Sequence, residues 1–260
     1  MNLQLTDKTA LVSGSTKGIG FAIASQLAAE GARVIVNGRT ESAVAEAVEK
    51  IRRAVPNSKV EGFAADLSAP NETLRLRFPS VDILVNNLGI FEPKPFEQIS
   101  DDDWLRFYDV NVLSGVRLSR TYLPGMKERK WGRIIFISSE SGIQIPVEMI
   151  HYGVTKTAQL AVSRGLAEYC SGTGVTVNAV LPGPTLSAGV EEFVTKLSGG
   201  KPFAEFEKEF FQSVRPSSLL KRFETPDEIA SLVTFVCSPL ASAISGAALP
   251  VDGGVVRACF

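Results

Sequence analysis

The chain has 260 residues, of which 45% are hydrophobic and 21% are charged, so it is long enough to bury one large core. Its net charge of -1 at pH 7 argues against a nucleic-acid-binding protein, which normally carries a basic excess. The N-terminus has no basic segment followed by an apolar stretch, and no apolar run is long enough to span a bilayer. We therefore expect a single cytoplasmic domain over 1–260 that binds neither nucleic acid nor membrane.

Short β-branched apolar runs alternate with longer helical patterns along the chain. Continuous apolar runs such as IIFI at 134–137 suit strands that are covered on both faces. Strands are predicted at 9–14, 33–38, 59–67, 81–87, 132–139, 174–183 and 246–254, and helices at 18–30, 41–54, 101–128, 150–171 and 226–237. This order predicts a doubly wound α/β Rossmann fold, a parallel seven-stranded sheet with helices on both faces.

A glycine-rich segment joins the first predicted strand to the first predicted helix. Gly14, Gly18 and Gly20 form the pattern G-x-x-x-G-x-G. Glycines at this junction permit a tight turn and let backbone N–H groups approach a pyrophosphate, which the helix N-terminus attracts. No Gly-Lys-Ser/Thr follows, which excludes a P-loop. The segment predicts a dinucleotide site.

The end of the second strand bears on which dinucleotide binds. Sites that prefer NAD usually place an Asp or Glu here to hold the ribose hydroxyls, but residues 37–40 read Asn-Gly-Arg-Thr. Arg39, together with Lys17, can face a 2′-phosphate, which a guanidinium grips with paired hydrogen bonds. The alternative is that both are ordinary solvated cations. We expect NADP(H) as the preferred cofactor, with NAD(H) possible.

Tyr152 and Lys156 stand one helical turn apart, and residues at i and i+4 share a helix face. A phenol with a pKa of about 10 is a poor acid–base catalyst at neutral pH, but a nearby ammonium lowers that pKa. The pair is therefore predicted to be a proton donor and the cation that tunes it. His151 points about 100° away from Tyr152 on the same helix, so we expect it at a rim or an interface.

Three cysteines, Cys170, Cys237 and Cys259, are odd in number and show no C-x-x-C spacing. This favours free thiols in a reducing compartment over a disulfide framework or a metal site. No metal is expected.

The motifs together resemble the short-chain dehydrogenase/reductase family over essentially the whole chain. They are the glycine loop, NNLG at 86–89, VNV at 110–112, Ser139, Tyr152-x-x-x-Lys156, PG at 182–183 and VDGG at 251–254. Leu88 stands where the family usually has alanine, which is expected to alter packing beside the nicotinamide site. The stretch from Asp66 to Asn86 is shorter than usual, which is expected to trim a helix remote from the chemistry.

The resemblance implies four catalytic residues. Tyr152 donates a proton to the carbonyl oxygen as hydride arrives, and Ser139 supplies a second hydrogen bond to that oxygen. Lys156 also bonds the nicotinamide ribose, and Asn111 helps to hold a water that links Lys156 to solvent. The cofactor-binding residues that it implies are Gly14, Ser15, Thr16, Lys17, Gly18, Ile19, Gly20, Arg39, Asp66, Leu67, Asn87, Gly89, Tyr152, Lys156, Pro182, Gly183 and Thr185.

The implied function is hydride transfer between a nicotinamide cofactor and a carbonyl or alcohol substrate, as in the similar 3-oxoacyl-[acyl-carrier-protein] reductases. The substrate is a 3-oxoacyl thioester, a ketone or a sugar. One alternative is a non-catalytic cofactor-binding or scaffold protein on the same fold. Another is a nucleotide-retaining epimerase or dehydratase, although those relatives generally carry a larger C-terminal domain. The family commonly self-associates, so a homotetramer or homodimer is expected, with the apolar tail 255–260 at an interface.

Residues 188–216 are predicted to form a small substrate lid. Apolar stripes at 190–197 and 203–214 are separated by Gly199-Gly200, which supplies flexible backbone. The alternative is that both stripes only cover the core. Candidate substrate contacts are Glu92, Gln144 and Phe193.

Overall fold

A computed structural model gives the structure of the chain and describes residues 1–187 and 201–259. Its centre is a seven-stranded sheet in the order β3-β2-β1-β4-β5-β6-β7. Every strand pairs in parallel with its neighbours. The strands are β1 (Thr9–Val12), β2 (Arg33–Gly38), β3 (Val60–Ala64), β4 (Ile83–Asn86), β5 (Gly132–Ile137), β6 (Val175–Pro182) and β7 (Ala248–Val251). The predicted doubly wound fold is confirmed.

Helices cover both faces of this sheet. In chain order they are α1 (Gly18–Ala29), α2 (Glu41–Ala54), α3 (Glu72–Arg77), α4 (Asp101–Tyr108), α5 (Ser114–Glu128), α6 (Ile150–Tyr169), α7 (Phe203–Ser213) and α8 (Pro226–Val236). One apolar cluster joins α1, α2 and α8 to one face, and a second joins α3, α5 and α6 to the other. Neighbouring strand residues alternate between the two, as Val12 and Leu11 do, which is why the strands are mainly apolar on both faces.

The strands end earlier than the sequence predicts, and the difference positions the site. Residues 13–14, 65–67 and 138–139 leave the sheet as loops instead of extending β1, β3 and β5. Chain connections run in opposite directions from β1, so that loops diverge between β1 and β4 and leave a crevice beyond their carboxyl ends. The predicted functional loops meet at this crevice.

The helix predicted at 101–128 is divided by a π-helical turn. This turn spans Asp109–Leu113, between α4 and α5. Inside it the backbone carbonyl of Asn111 accepts a hydrogen bond from Gln159 Nε2 of α6 at 2.6 Å. A wider turn accommodates the extra residue, and such turns concentrate at functional sites.

Two further predictions concern surfaces. Val255, expected at an interface, is fully buried within the chain itself, and Phe260 lies outside the described residues. Among the helices of the described ranges, none is both long enough and apolar enough to cross a membrane.

Candidate active site

A cleft of about 970 Å³ opens beyond the carboxyl ends of β1, β4, β5 and β6. This volume is large enough for a cofactor and a small substrate. The predicted cofactor-binding residues that line it are Lys17, Gly18, Ile19, Gly20, Asn87, Gly89, Tyr152, Lys156, Pro182, Gly183 and Thr185. Of the predicted catalytic residues, Ser139, Tyr152 and Lys156 line it as well.

The glycine loop is shaped by close backbone approaches. Gly14 and Gly18 have φ values of +61° and +59°, a region that side chains disfavour. A Cβ on Gly20 would lie 2.5 Å from Asn87 Nδ2 and 2.6 Å from the Gly14 carbonyl oxygen. Asn87 Nδ2 donates to the carbonyl oxygens of Ser13 and Gly14, both at 3.0 Å. The loop is thereby fixed against β4, with the N-terminus of α1 facing the cleft, and this arrangement fits a pyrophosphate.

Other predicted cofactor residues support or flank the cleft without lining it. Ser15 is fully buried, and its hydroxyl donates to the Val12 carbonyl oxygen at 2.6 Å. Leu67 is buried in the core, whereas Asp66 and Arg39 are exposed. Hydrogen bonds from Ser68, with a smaller contribution from Arg39, lower the pKa of Asp66. Gly14 and Thr16 complete this group, as Gly14 N–H donates to Asn37 Oδ1 and Thr16 packs against Gly38.

Ser139 and Tyr152 come together at the centre of the cleft. Ser139 follows β5 and begins a short 3-10 turn, where its hydroxyl oxygen accepts from the Ser141 N–H at 3.1 Å. The same hydroxyl is close enough to the Tyr152 phenol to share a hydrogen bond. Burial raises the pKa of Tyr152 to about 12, and the bond to Ser139 opposes that rise. The prediction that the neighbouring lysine lowers this pKa is therefore wrong for the protein alone.

Lys156 lies beneath the tyrosine, with Nζ 5.5 Å from the centre of the Tyr152 ring. It is only 4% exposed, and Nζ donates to the Ile137 carbonyl oxygen at 2.9 Å. Burial lowers the pKa of Lys156 to about 7, because the charged form has lost its water. This lysine is therefore a weak source of positive charge above neutral pH. The Ser138 hydroxyl donates to the Lys156 carbonyl oxygen at 2.8 Å and joins the β5 loop to α6.

Asn111 lies behind Lys156 and is fully buried. Its Nδ2 donates to the Ile90 carbonyl oxygen at 3.0 Å and to Thr155 Oγ1 at 2.9 Å. Its Oδ1 accepts from the Ile90 N–H at 2.7 Å. A Cβ on Gly89 would lie 3.4 Å from Lys156 Nζ, so the segment after β4 passes directly over the lysine. Asn111 thus joins that segment to the π-helical turn and to α6.

The loop after β6 is held by Glu224, which sequence analysis did not single out. Gly183 N–H donates to Glu224 Oε2 at 3.1 Å, and Thr185 Oγ1 lies 3.5 Å from the same oxygen. Burial raises the pKa of Glu224 to about 8, with a smaller contribution from Asp252. No local pattern marks this residue, because it lies 41 residues after Gly183.

Two of the three predicted substrate contacts, Glu92 and Gln144, do not line the cleft. Glu92 is exposed and pairs with Arg106 at 3.0 Å, and Gln144 is exposed outside the cleft lining. Phe193 lies outside the described residues, as does the part of the predicted lid at 188–200. Phe206 and Phe210 of α7 do line the cleft and lie against Phe223, at centroid distances of 6.5 and 5.0 Å.

A charged cluster lies next to these aromatic residues, since the Arg215 N–H donates to the Phe210 carbonyl oxygen at 3.0 Å. Arg215 follows α7, and its Nε bonds Glu140 Oε1 at 2.9 Å. Its Nη1 bonds Glu148 Oε1 at 3.2 Å. Burial opposes the charged form of Arg215, but the two carboxylates outweigh it and raise its pKa. Glu140 directly follows Ser139, so the cluster adjoins the centre of the cleft.

Two neighbours of the site differ from expectation. His151 is fully buried, with its ring centroid 4.0 Å from that of Phe107, so the expectation of a rim or interface position is wrong. It does point away from the cleft, as the helical spacing predicts. The Leu88 side chain lies against Gly14, within 3.3 Å of a Cβ built there. Leu88 therefore packs against the first glycine of the glycine loop.

The chain is similar in sequence and in fold to known oxidoreductases. The family model described as enoyl-(acyl carrier protein) reductase matches residues 14–256. The chain is 51% identical over 265 residues to the uncharacterized oxidoreductase YvaG of Bacillus subtilis (strain 168), which covers 100% of both chains. It is 35% identical over 260 residues to the D-beta-hydroxybutyrate dehydrogenase of Cupriavidus necator, covering 97% of this chain and 99% of that one. Among solved structures, the L-sorbose reductase from Gluconobacter frateurii complexed with NADPH and L-sorbose matches with a TM-score of 0.91 and 31% identity, covering 99% and 100% of the two chains.

Proposed function

Given that the chain belongs to the short-chain dehydrogenase/reductase family, oxidoreductases that use NAD(P)H on carbonyl or alcohol carbons, we propose that this protein is an NADPH-dependent carbonyl reductase. The observation that carries the proposal is the convergence of Ser139, Tyr152 and Lys156 on one cleft beside the glycine loop. These three side chains come from the end of β5 and from α6, so only the folded chain brings them together.

Tyr152 is the proton donor in this proposal. With a pKa of about 12 in the protein alone, the phenol is protonated at physiological pH, so it holds the proton that a carbonyl oxygen needs as that oxygen gains charge. The Ser139 hydroxyl is placed to bond the same oxygen and to orient it towards the phenol. When bound, the nicotinamide supplies the hydride.

Lys156 is the group that resupplies the proton of Tyr152 in this proposal. Its Nζ is fixed by the Ile137 carbonyl oxygen, and Asn111 fixes the Gly89 segment that lies over it. With a pKa of about 7, Lys156 can pass between its charged and neutral forms near physiological pH. That property suits a group that returns a proton to Tyr152 after each turnover.

NADPH is the cofactor in this proposal, since Arg39 is exposed near Asp66 and Lys17 lines the cleft. Gly14, Gly18 and Gly20 would hold the pyrophosphate, and Asp66 and Leu67 the adenine side. Pro182, Gly183 and Thr185 would hold the carboxamide through the backbone. NAD(H) remains the alternative, distinguished by the measurements on Arg39 given below.

A cofactor-binding scaffold without catalysis is disfavoured by the site itself. Such a protein has no need to bury a lysine whose charged form is destabilised, nor to place it under a buried phenol.

The proposal also includes self-association and a cytoplasmic location. Unpaired thiols at Cys170, Cys237 and Cys259 support the location, because such thiols persist in a reducing compartment.

The test is a spectrophotometric assay of NADPH and NADH oxidation with a panel of ketones, 3-oxo esters, 3-oxoacyl thioesters and keto sugars. We expect reduction of at least one class with NADPH at a higher kcat/KM than with NADH. Tight NADPH binding with no turnover of any class would favour the scaffold alternative.

A further inference from the structure

The substrate end of the cleft contains an arginine whose charge is already neutralised. Arg215 is 8% exposed and bonds two carboxylates through different nitrogens, Glu140 through Nε and Glu148 through Nη1. Nη1 also donates to the Val214 carbonyl oxygen at 3.1 Å. These bonds use Nε and Nη1, which leaves Nη2 to meet a ligand, beside two carboxyl groups that already offset the guanidinium charge.

The other cations lining the described part of the cleft are either bonded within the protein or lie at the cofactor end. Lys201 bonds both carboxylate oxygens of Glu209, at 2.9 and 2.8 Å. Lys156 donates to a backbone carbonyl oxygen beneath Tyr152. Lys17 belongs to the glycine loop, at the end where a dinucleotide phosphate would lie.

The cluster holds more carboxyl groups than cations. Glu140 and Glu148 stand beside the single guanidinium of Arg215, and both line the cleft. Burial raises the pKa of Glu140 although Arg215 opposes that rise, so Glu148 is the carboxyl group more readily charged. The charges of Glu140 and Arg215 reach the Tyr152 phenol, so the cluster adjoins the place where a carbonyl group would react. A ligand carboxylate held there would face like charges at short range and in a partly dry site, which is unfavourable.

Resting on the proposed function, we propose that this cluster makes the enzyme selective for uncharged carbonyl compounds over those with a carboxylate, and that Glu148 is the specificity-determining residue. Glu148 is chosen because it is the more exposed carboxylate, with 39% of its side chain accessible against 4% for Glu140. The comparisons do not decide the question, since by their names one relative acts on a hydroxy acid and another on an uncharged sugar.

An uncharged ligand also suits the aromatic residues of the cleft. Phe206, Phe210 and Phe223 present an apolar surface to the cleft, which favours a carbon-rich or esterified portion of a ligand over an ion. The polar atoms of Arg215 and Glu148 at the same end can still bond a hydroxyl or an ester oxygen.

The experiment measures kcat/KM with NADPH for acetoacetate, levulinate and pyruvate, each against its methyl ester, at low ionic strength. In the wild type we expect each ester to be used at least about tenfold better than its acid. Glu148→Gln should reduce this ratio by about tenfold, because it frees part of Arg215 to receive a carboxylate. Glu148→Asp, which keeps the charge, should leave the ratio near the wild-type value.

Glu49→Gln is the matched control, because Glu49 is an exposed carboxylate paired with Arg53 on α2, outside the cleft lining. It removes one charge from the protein and should not change the ratio. Thermal melting establishes that each variant is folded. Better use of the acids by the wild type, or an unchanged ratio in a folded Glu148→Gln variant, would overturn this inference and leave the proposed function intact. Failure to reduce any compound of the full panel would instead count against the proposed function.

Discussion

Lys156 Nζ lies 5.5 Å from the centre of the Tyr152 ring, and both groups have pKa values displaced by burial. The displacement is upward for the phenol and downward for the ammonium, so that each group favours its neutral form. In the protein alone the pair is therefore a protonated acid above a lysine that titrates near neutrality. This arrangement favours proton donation over proton abstraction.

Replacing Tyr152 by Phe removes the transferred proton while preserving the ring and its contact with Phe91. We expect kcat/KM for carbonyl reduction to fall by about 10²–10⁴-fold, with NADPH affinity nearly unchanged. The measurements are steady-state reduction rates and NADPH fluorescence titration. Tyr169→Phe, at an exposed tyrosine of the same helix, is the control and should keep full activity. Activity of Tyr152→Phe near the wild-type value would exclude Tyr152 as the proton donor.

Lys156→Met should abolish most activity yet stabilise the fold at low pH. The folded pKa of about 7 lies below the ordinary 10.5, so between these values the unfolded chain binds the proton that the folded chain does not. The stability of the wild type is therefore reduced as pH falls from 10.5 towards 7, and methionine removes this loss. Thermal melting should show a higher Tm for the variant than for the wild type at pH 6, and a smaller difference at pH 10. A lower Tm at pH 6 would contradict the burial cost assigned to this lysine.

Arg39→Ala tests the cofactor preference. Loss of a charge-assisted contact to a 2′-phosphate should cost about 1.5–3 kcal/mol, or roughly ten- to a hundredfold in NADPH affinity. NADH affinity should change little, because that cofactor has no such phosphate. Arg53→Ala, at an exposed arginine of α2, controls for the change in charge. A wild type that prefers NADH would refute the NADPH assignment.

Because of Glu224, the free energy of unfolding should fall as the pH rises from about 4.5 to about 8. Its folded pKa of about 8 is above the ordinary 4.5, so between these values the folded chain keeps a proton that the unfolded chain has released. The free energy of unfolding then declines with pH, by at most about 1.4 kcal/mol per unit. Glu224→Gln keeps the neutral shape and can still accept from Gly183 N–H, so its stability should vary less with pH between 5 and 8. Urea unfolding across this range, with Glu49→Gln alongside, provides the measurement. Parallel wild-type and Glu224→Gln profiles would count against a protonated carboxyl at this position.

The outer surfaces of α4, α5 and α6 should form an interface between copies of the chain. Leu105, Tyr108, Val154 and Tyr169 are exposed apolar residues of α4 and α6, and a hollow lies between α5 and α6. Sedimentation at micromolar concentration should show a dimer or tetramer, and Leu105→Arg should shift it to smaller species. Leu76→Arg, at an exposed leucine of α3, should have no effect. A monomeric wild type would show that these residues are ordinary exposed surface.

The sequence is informative where the chemistry is local. Gly14, Gly18 and Gly20 lie within seven residues, and Tyr152 and Lys156 within one turn, so spacing alone identifies both motifs. The contact of Arg215 with Glu140 joins residues 75 positions apart, and only the fold brings them together. The pKa of Tyr152 is misjudged for the same reason, because burial depends on neighbours from other segments.

The lengths of the elements are predicted less well. A helical pattern continues from 101 to 128, and the side chains do not reveal the π-helical turn, since it is stabilised by Gln159 from a distant helix. Strand ends are overestimated because the loops beyond them are buried as the strands are, so that Ser13, Leu67 and Ser139 lie inside the protein although they have left the sheet.

The π-helical turn restricts how the gene for this chain can vary. Deletion of one codon within Asp109–Leu113 would restore an ordinary turn and rotate the whole of α5 by about 100° relative to α4. Leu118 and Tyr122 would then lose their places in the core, while Asn111 would leave Ile90 and Thr155. Catalytic support and packing would fail in a single step, without passing through a partly active form. Variants of this protein that retain function should therefore change this turn by substitution and keep its length of five residues.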